Sequence, residues 1–553
     1  MENRIKAALG QIKADLVLKN GIIVDVFCHR LIEGDVAIHD GIIVGIGGYE
    51  GVKEIDITGK YVMPAFIDSH VHIESSMLTP TEYAGAVIPF GVTTIITDPH
   101  EILNVCGENG LRFMINSADN SMLDVYFMAP SCVPATEFEH SGSVIDSKLL
   151  KKLKNKYKFI GLAEMMNYVG VINCDDEILR KISLFNIIDG HAPGLSGNQL
   201  NAYISSGIGT DHECETVEEV REKLGRGMFI LAREGTAAKN LEAIMKAVNP
   251  YTVGRIAFCT DDKHIDEIVT EGTISHCVNR AIELGVDPID AITMASYNAA
   301  KCYGLKNKGA IAPNYCADLL ICHTIDAKNI MQVYKNGKLV AEEGKALFEV
   351  NNKIKEEVLK EVTNTVNARK LKKGCFTLKF DKNRPVIEVL PNSIITRKAY
   401  VNSADDLTLC AVIERHKALG HIGLAHIKGI TIKDGAVAQS IGHDSHNITA
   451  IGDGEDNIKL AVEALGTDGG ISVVKNGKVL SVLNLNIAGL MSDKTISEVV
   501  EEKKKLVSSL KSICNYSGSE LLMVLSFVSL IVIPEIRLND NGLFDVTEWN
   551  YIR

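Results

Sequence analysis

Disulfide chemistry is the first thing this sequence lacks. Its 13 cysteines contain no CxxC pair and no regular spacing, and an odd number cannot close into a complete frame. Reduced thiols are therefore expected, as in a cytoplasmic protein. The first residues, MENRIKAA, hold no apolar core of the kind a secretory signal carries, so secretion is not expected. Membrane-spanning length is lacking too, since a helical span needs about 20 apolar residues. The longest such run, LLMVLSFVSLIVI at 521–533, has 13 residues and is stopped by Pro534 and Glu535; it reads as a buried strand or core helix. Excess positive charge is also missing. With 58 Lys and Arg against 70 Asp and Glu, the formal net charge is −12, and such a surface attracts neither nucleic acid nor an anionic membrane. There is no internal repeat and no low-complexity tract. Apolar residues at 46% and charged residues at 23% are ordinary globular values, which excludes disordered and fibrous architectures.

What is present divides by rhythm. A chain of 553 residues suggests two to four domains at about 150 residues each. Residues 15–56 alternate short apolar runs with Gly-Asp and Asp-Gly turns, a pattern of strands and hairpins that returns at 317–345 with Asn336-Gly337 as a further hairpin signal. Both flanks together, residues 1–60 and 306–350, predict one small β-domain. Between them, over 61–305, eight apolar runs (YVMPAFID, VTTIIT, VYFMA, FIGLAEM, FNIIDGH, GIGTDHE, MFILARE, RIAFCTDD) alternate with helix-like stretches. Continuous apolar strands separated by helices indicate parallel sheet buried on both faces, and eight of them match a (β/α)8, TIM-like barrel of about 250 residues. The fold class is α/β. Residues 351–373 are charge-rich and read as an exposed helix or connector, and 374–553 as a separate C-terminal α+β domain with a Gly/His-rich centre.

Barrel chemistry sits where strands end at their C-terminal side. The first run ends in Asp68-Ser69-His70-Val71-His72; residues two apart on a strand face the same way, so His70 and His72 can aim two imidazoles at one point. Glu164 closes the fourth run, His191 the fifth, His212 the sixth and Asp261 the eighth. Four histidines and two carboxylates converging on one mouth are enough for two divalent ions bridged by a carboxylate and a water. The donors are all nitrogen and oxygen, which suits Mn²⁺, Fe²⁺ or Zn²⁺. Met165, Met166 and Cys259, beside these ends, read as core. His421, His426, His443 and His446 match no standard zinc spacing; they read as part of glycine-bounded loops that pack on the barrel mouth, one of them reaching the substrate.

The ligand order resembles that of the amidohydrolase superfamily and, within it, the bacterial adenine deaminase family. The resemblance is carried by PAFIDSHVHIESSM (64–77), TDPHEI (97–102), GLAEMMNY (161–168), GHAPGLSG (190–197), TDHE (210–213), AREGT (232–236), CTDDKH (259–264), GHIGLAHIKG and SIGHDSHN. It covers nearly the whole chain and implies that the small domain is a β-sandwich. Glu164 stands where many superfamily members carry a modified, carboxylated lysine; a glutamate already supplies the bridging carboxylate. The resemblance further implies hydrolytic deamination of adenine to hypoxanthine and ammonia, by hydroxide drawn from water at a binuclear centre of His70, His72, Glu164, His191, His212 and Asp261. Manganese or iron is the metal the family favours. On this reading Asp261 accepts the hydroxide's proton as it attacks C6, Glu74 protonates the ring nitrogen, and His100 polarises or orients the base. Glu74 has an alternative reading, as a partner that fixes a histidine tautomer, and His100 as a structural hydrogen bond. Asp262, alternating with Asp261 along a strand, is expected to point away and to serve as a supporting partner behind the ligands. A homodimer, a cytoplasmic location and a role in purine salvage are implied likewise. The rival readings are a cyclic-amide hydrolase of the hydantoinase or dihydropyrimidinase kind, against which Glu164 counts, and a metal-free binding protein, against which the intact ligand set counts.

Overall fold

The computed structural model describes residues 1–350, 354–391, 393–518 and 520–552. Its centre is a parallel barrel of eight short strands: β1 (Phe66–Val71), β2 (Val92–Thr97), β3 (Asp124–Phe127), β4 (Leu162–Met165), β5 (Ile188–Gly190), β6 (Thr210–Asp211), β7 (Phe229–Arg233) and β8 (Ile256–Cys259). Pairing runs from β1 through β2 to β3, passes by the Ala129–Leu162 bridge to β4 and on to β5. The Gly209 amide, donating to the Ile188 carbonyl at 3.0 Å, carries it towards β6, which pairs on through β7 to β8. A parallel bridge between Val71 and Asp261 closes the ring. Strands β1, β2, β4, β5, β6 and β8 are buried at every position, so their sequences show no alternation of buried and exposed residues.

The first apolar run is divided, contrary to the expectation of one barrel strand. Tyr61–Pro64 pairs with Leu319–Cys322 and with residues 22–23 in the small domain, and only Phe66–Val71 belongs to the barrel. The hand-over falls between neighbours: the Ala65 amide donates to Asp318 of the small domain, the Phe66 amide to Gly91 of the barrel. Hydrophobic patterning cannot show this, because the apolar stretch YVMPAFI runs without a break across the hand-over. The small domain is a nine-stranded sheet drawn from residues 14–64 and 319–346. Its Asn336-Gly337 turn has both residues at positive φ (47° and 72°), the conformation a two-residue hairpin requires.

The chain beyond residue 354 forms one short helix, Glu356–Lys360, and then an eight-stranded sheet spanning Val386–Val389 to Lys478–Asn484. The first three residues of the expected connector, 351–353, lie outside the described residues. Helices Glu455–Ala464 and Ile496–Lys511 pack on the sheet. The apolar run at 521–533 becomes the helix Leu521–Phe527 followed by an irregular turn, buried throughout. Among the described residues no helix is long and apolar enough to cross a membrane. This C-terminal part reaches the barrel mouth directly: the Ser492 amide donates to the Met77 carbonyl at 2.9 Å, and the Ile496 amide to the Glu82 carboxylate at 3.1 Å.

Candidate metal centre

Each proposed ligand sits at or just past the C-terminal end of a barrel strand, and local interactions hold the ends together. Asp68 on β1 accepts from the amide and hydroxyl of Thr260 at 3.1 and 2.6 Å, which ties His70 and His72 to the segment carrying Asp261. The Tyr203 hydroxyl donates to Met165 O at 2.7 Å and accepts from the His191 amide at 2.9 Å, spanning the ends of β4 and β5. A Cβ at Gly190 would meet the Thr210 carbonyl at 2.3 Å, so only glycine lets β5 and β6 approach closely enough to set His191 beside His212.

Asp211 adds a buried ion pair beneath these two histidines. It accepts from Lys223 Nζ at 2.9 Å and from the Ala192 amide at 2.8 Å, while Lys223 also donates to Ala192 O at 2.7 Å. Burial alone would raise the Asp211 carboxyl, but the Lys223 ammonium outweighs it and holds the group at about 2. A depressed carboxylate contributes stability that is present above its unfolded value and is lost as the pH falls through the folded one. Here that contribution is roughly 2 kcal/mol and fades between about pH 4 and pH 2. Lys223→Met strands the Asp211 charge; the expected cost is about 3–5 kcal/mol, seen as a marked fall in Tm at pH 7. A Tm within a degree of the parent would contradict this account.

The six ligands form two sets that share Glu164. Its Oε1 lies 3.6 Å from His70 Nε2 and 3.2 Å from His72 Nε2; its Oε2 lies 2.8 Å from His191 Nδ1 and 3.3 Å from His212 Nε2. Asp261 Oδ1 completes the first set, 3.3 Å from His70 and 3.1 Å from His72. His70, His72, Glu164 and Asp261 thus present one cluster of donor atoms, and Glu164, His191 and His212 a second, all buried. His70 Nε2 is enclosed without a hydrogen-bond partner although two carboxylates face it, as expected of a lone pair aimed at a cation. Burial would depress the His70 imidazole, yet Asp261 and Glu164 outweigh it and hold it up at about 10. A bound cation would take the place of that proton. The donor set fits two divalent ions with a bridging carboxylate.

Around this floor lies a narrow cavity of about 20 Å³. His100 lines it. Its Nδ1 is held by Asp98 Oδ2 at 2.7 Å, which fixes the ring and leaves Nε2 facing Glu101 at 3.4 Å and Asp444 at 3.7 Å. Glu101 also lines the cavity and is gripped by His443 Nδ1 at 2.7 Å and by His446 Nε2. Burial works against ionising Glu101, but these histidines and His100 keep its carboxyl well below the usual range. Glu74 is not among the lining residues. It stands behind them, one oxygen accepting from the Ile102 amide at 3.2 Å and the other buried without a partner, and burial lifts it to about 7.

Asp262 lines the cavity, contrary to the expectation that it points away, and Met166, core as expected, borders it too. β8 ends at Cys259 and Asp261 adopts φ +56°, so strand alternation no longer applies at Asp261 and Asp262 and both carboxylates turn inward. Met166 lies one residue past β4 and packs on Ile394, Met523 and Phe527 from the C-terminal domain. Met165 and Cys259 are core, as expected. The histidine group divides: His443 and His446 reach the site, whereas His421 is held by Asn541 at 2.7 Å at the periphery and His426 lies near Phe380.

Several site residues carried a sequence signal that went unused. Arg233 ends β7 and, by the strand-end rule, belonged with the others. It donates to Asp261 Oδ2 at 2.6 Å and grips both oxygens of Glu213, the neighbour of His212. Asp98 and Glu101 flank His100 in TDPHE. Burial would raise the Asp261 carboxyl, but Arg233 and the two β1 histidines hold it well below the usual range.

Residues 61–340 match the amidohydrolase family, and residues 390–550 match the adenine deaminase C-terminal domain. The adenine deaminase of Clostridium acetobutylicum is 45% identical over 570 aligned residues, covering 100% of both chains. Those of Halalkalibacterium halodurans and Geobacillus kaustophilus are each 43% identical, covering 100% of this chain and 98% of theirs.

Proposed function

The chain belongs to the adenine deaminase family of the amidohydrolases, and from that premise we propose that its activity, the hydrolytic deamination of adenine to hypoxanthine and ammonia, runs on two divalent cations held by His70, His72, Glu164, His191, His212 and Asp261. The observation that carries this reading is Glu164, whose two carboxylate oxygens face different histidine pairs. Such cations, when bound, would supply a nucleophile at neutral pH by lowering the pKa of a bound water.

The remaining work falls to the protein. Asp261 is the base that takes the proton of the attacking hydroxide; Arg233, on its other oxygen, keeps it ionised and oriented. His100, with its Nδ1 committed to Asp98, turns Nε2 into the cavity to orient the base. We assign the ring-nitrogen proton to Glu74 acting with Glu101: Glu74 holds a proton near neutral pH, and Glu101, next to it in space, has the carboxylate that lines the cavity. The second proton, for the leaving amine, comes back from Asp261. The cyclic-amide alternative has no support among the full-length relatives.

Mn²⁺ is our choice of resident ion, with Fe²⁺ and Zn²⁺ the other ions that suit an all-nitrogen-and-oxygen set. We place the enzyme in the cytoplasm as a homodimer serving purine salvage. Chelator-stripped protein titrated with Mn²⁺ is expected to gain activity linearly and to plateau at two equivalents per chain. A plateau at one equivalent would contradict the shared-Glu164 arrangement.

A further inference from the structure

Arg537, on the C-terminal strand Ile536–Asn539, is 0% exposed and among the largest fully buried side chains of the molecule. Among the described residues no carboxylate lies within ion-pair distance of it. Its guanidinium instead donates to four main-chain carbonyls: Nε to Ile533 at 2.8 Å, Nη1 to Phe527 at 2.9 Å, and Nη2 to Ile394 at 2.7 Å and Pro534 at 2.9 Å. A buried cation without a counter-charge is costly, and a side chain with several donors in a rigid fork is suited to tying separate carbonyls together.

The carbonyls are not scattered. Ile394, Phe527 and Ile533 each also present a side chain to the cavity above the metal ligands, and Leu530, on the same turn as Phe527 and Ile533, does so too. Neither residues 528–533 nor Ile394 belong to a helix or strand, so no regular ladder fixes them. Arg537 supplies the cross-links that regular secondary structure would otherwise give.

In a purine, the ring edge opposite C6 carries N3 and N9. On the reading proposed above, an adenine with C6 over Glu164 and Asp261 would rest that edge on the apolar part of the lining, which includes Ile394, Phe527, Leu530 and Ile533. A substituent on N9 would meet this apolar roof first. We propose that Arg537 is a positioning residue for substrate, locking the roof contributed by the C-terminal domain so that it fits an unsubstituted base and rejects N9-substituted ones. The inference rests on the reading of the six-ligand floor as the reacting end.

The test is Arg537→Lys, which keeps a cation but loses the fork, compared with the parent after Mn²⁺ loading. Adenine and 9-methyladenine are the probes, with metal content and Tm measured on both proteins. Two metals per chain are expected in each, with the KM for adenine raised roughly tenfold to a hundredfold, kcat nearly kept, and the preference for adenine over 9-methyladenine reduced. A variant with unchanged KM and unchanged preference, or one that loses kcat alone, overturns the proposal. Should Arg537→Lys not fold, Leu530→Ala decides: it enlarges the roof without touching the guanidinium, and an unaltered KM and preference there overturn the proposal equally. Failure of the parent itself to deaminate adenine would strike at the functional reading, not at this one.

Discussion

Asp261→Asn is expected to lower kcat by roughly 10²–10⁴-fold while the fold persists. The side chain is fully enclosed and nearly the same size after substitution, so packing gives no reason for unfolding. What changes is charge and proton affinity. Asp261 Oδ1 faces His70 and His72, and its Oδ2 accepts from Arg233. An amide can present only one oxygen. If that oxygen faces the histidines, an NH2 group is forced against the Arg233 donor; if it faces Arg233, the NH2 group faces the two histidines that converge on the metal position. Neither arrangement can accept the hydroxide's proton. The measurement is kcat for hypoxanthine formation with metal content determined on the same sample. Full activity with two metals per chain would remove Asp261 from the mechanism.

Glu164→Gln should be as damaging by a different route. Losing an outer partner of a metal ligand costs about 10–100-fold in affinity; here a shared ligand itself is neutralised. Four histidines face the two oxygens of this single carboxylate. Replacing one oxygen by a donor turns an N–H towards one of the two pairs, so the variant is expected to retain no more than one ion per chain after exhaustive dialysis and to lose turnover almost completely. Elemental analysis reads the first effect and the adenine assay the second. Retention of two tightly held ions would show that Glu164 bridges nothing.

These residues were legible because barrel strands deliver their last side chain to one mouth, and apolar runs reveal where strands end. The same rule also covers Arg233, which closes the seventh run. It failed where the strand had already stopped: the expectation that Asp262 points away assumes extended backbone, and the left-handed Asp261 breaks that assumption. The divided first run was hidden for a different reason, since the apolar stretch 61–67 continues across the hand-over and its two halves differ in which sheet accepts their hydrogen bonds. The roof was not legible at all. Ile394, Phe527, Leu530 and Ile533 carry no chemical signal, and nothing in the sequence ties residue 394 to residue 537 until the fold brings Arg537 to its carbonyl. Of the C-terminal histidines, composition marked the group, but only topology separates His443 and His446 at Glu101 from His421 and His426 at the edge.

The central claim is that six strand-end ligands make a two-cation centre that deaminates adenine. It is tested most directly by loading the protein with Mn²⁺, verifying two ions per chain, and following adenine by ultraviolet absorbance with ammonia measured in parallel. Hypoxanthine and ammonia are expected in equal amounts, at a rate abolished by a chelator and restored by metal. No turnover of adenine by protein that verifiably holds two ions would contradict the claim.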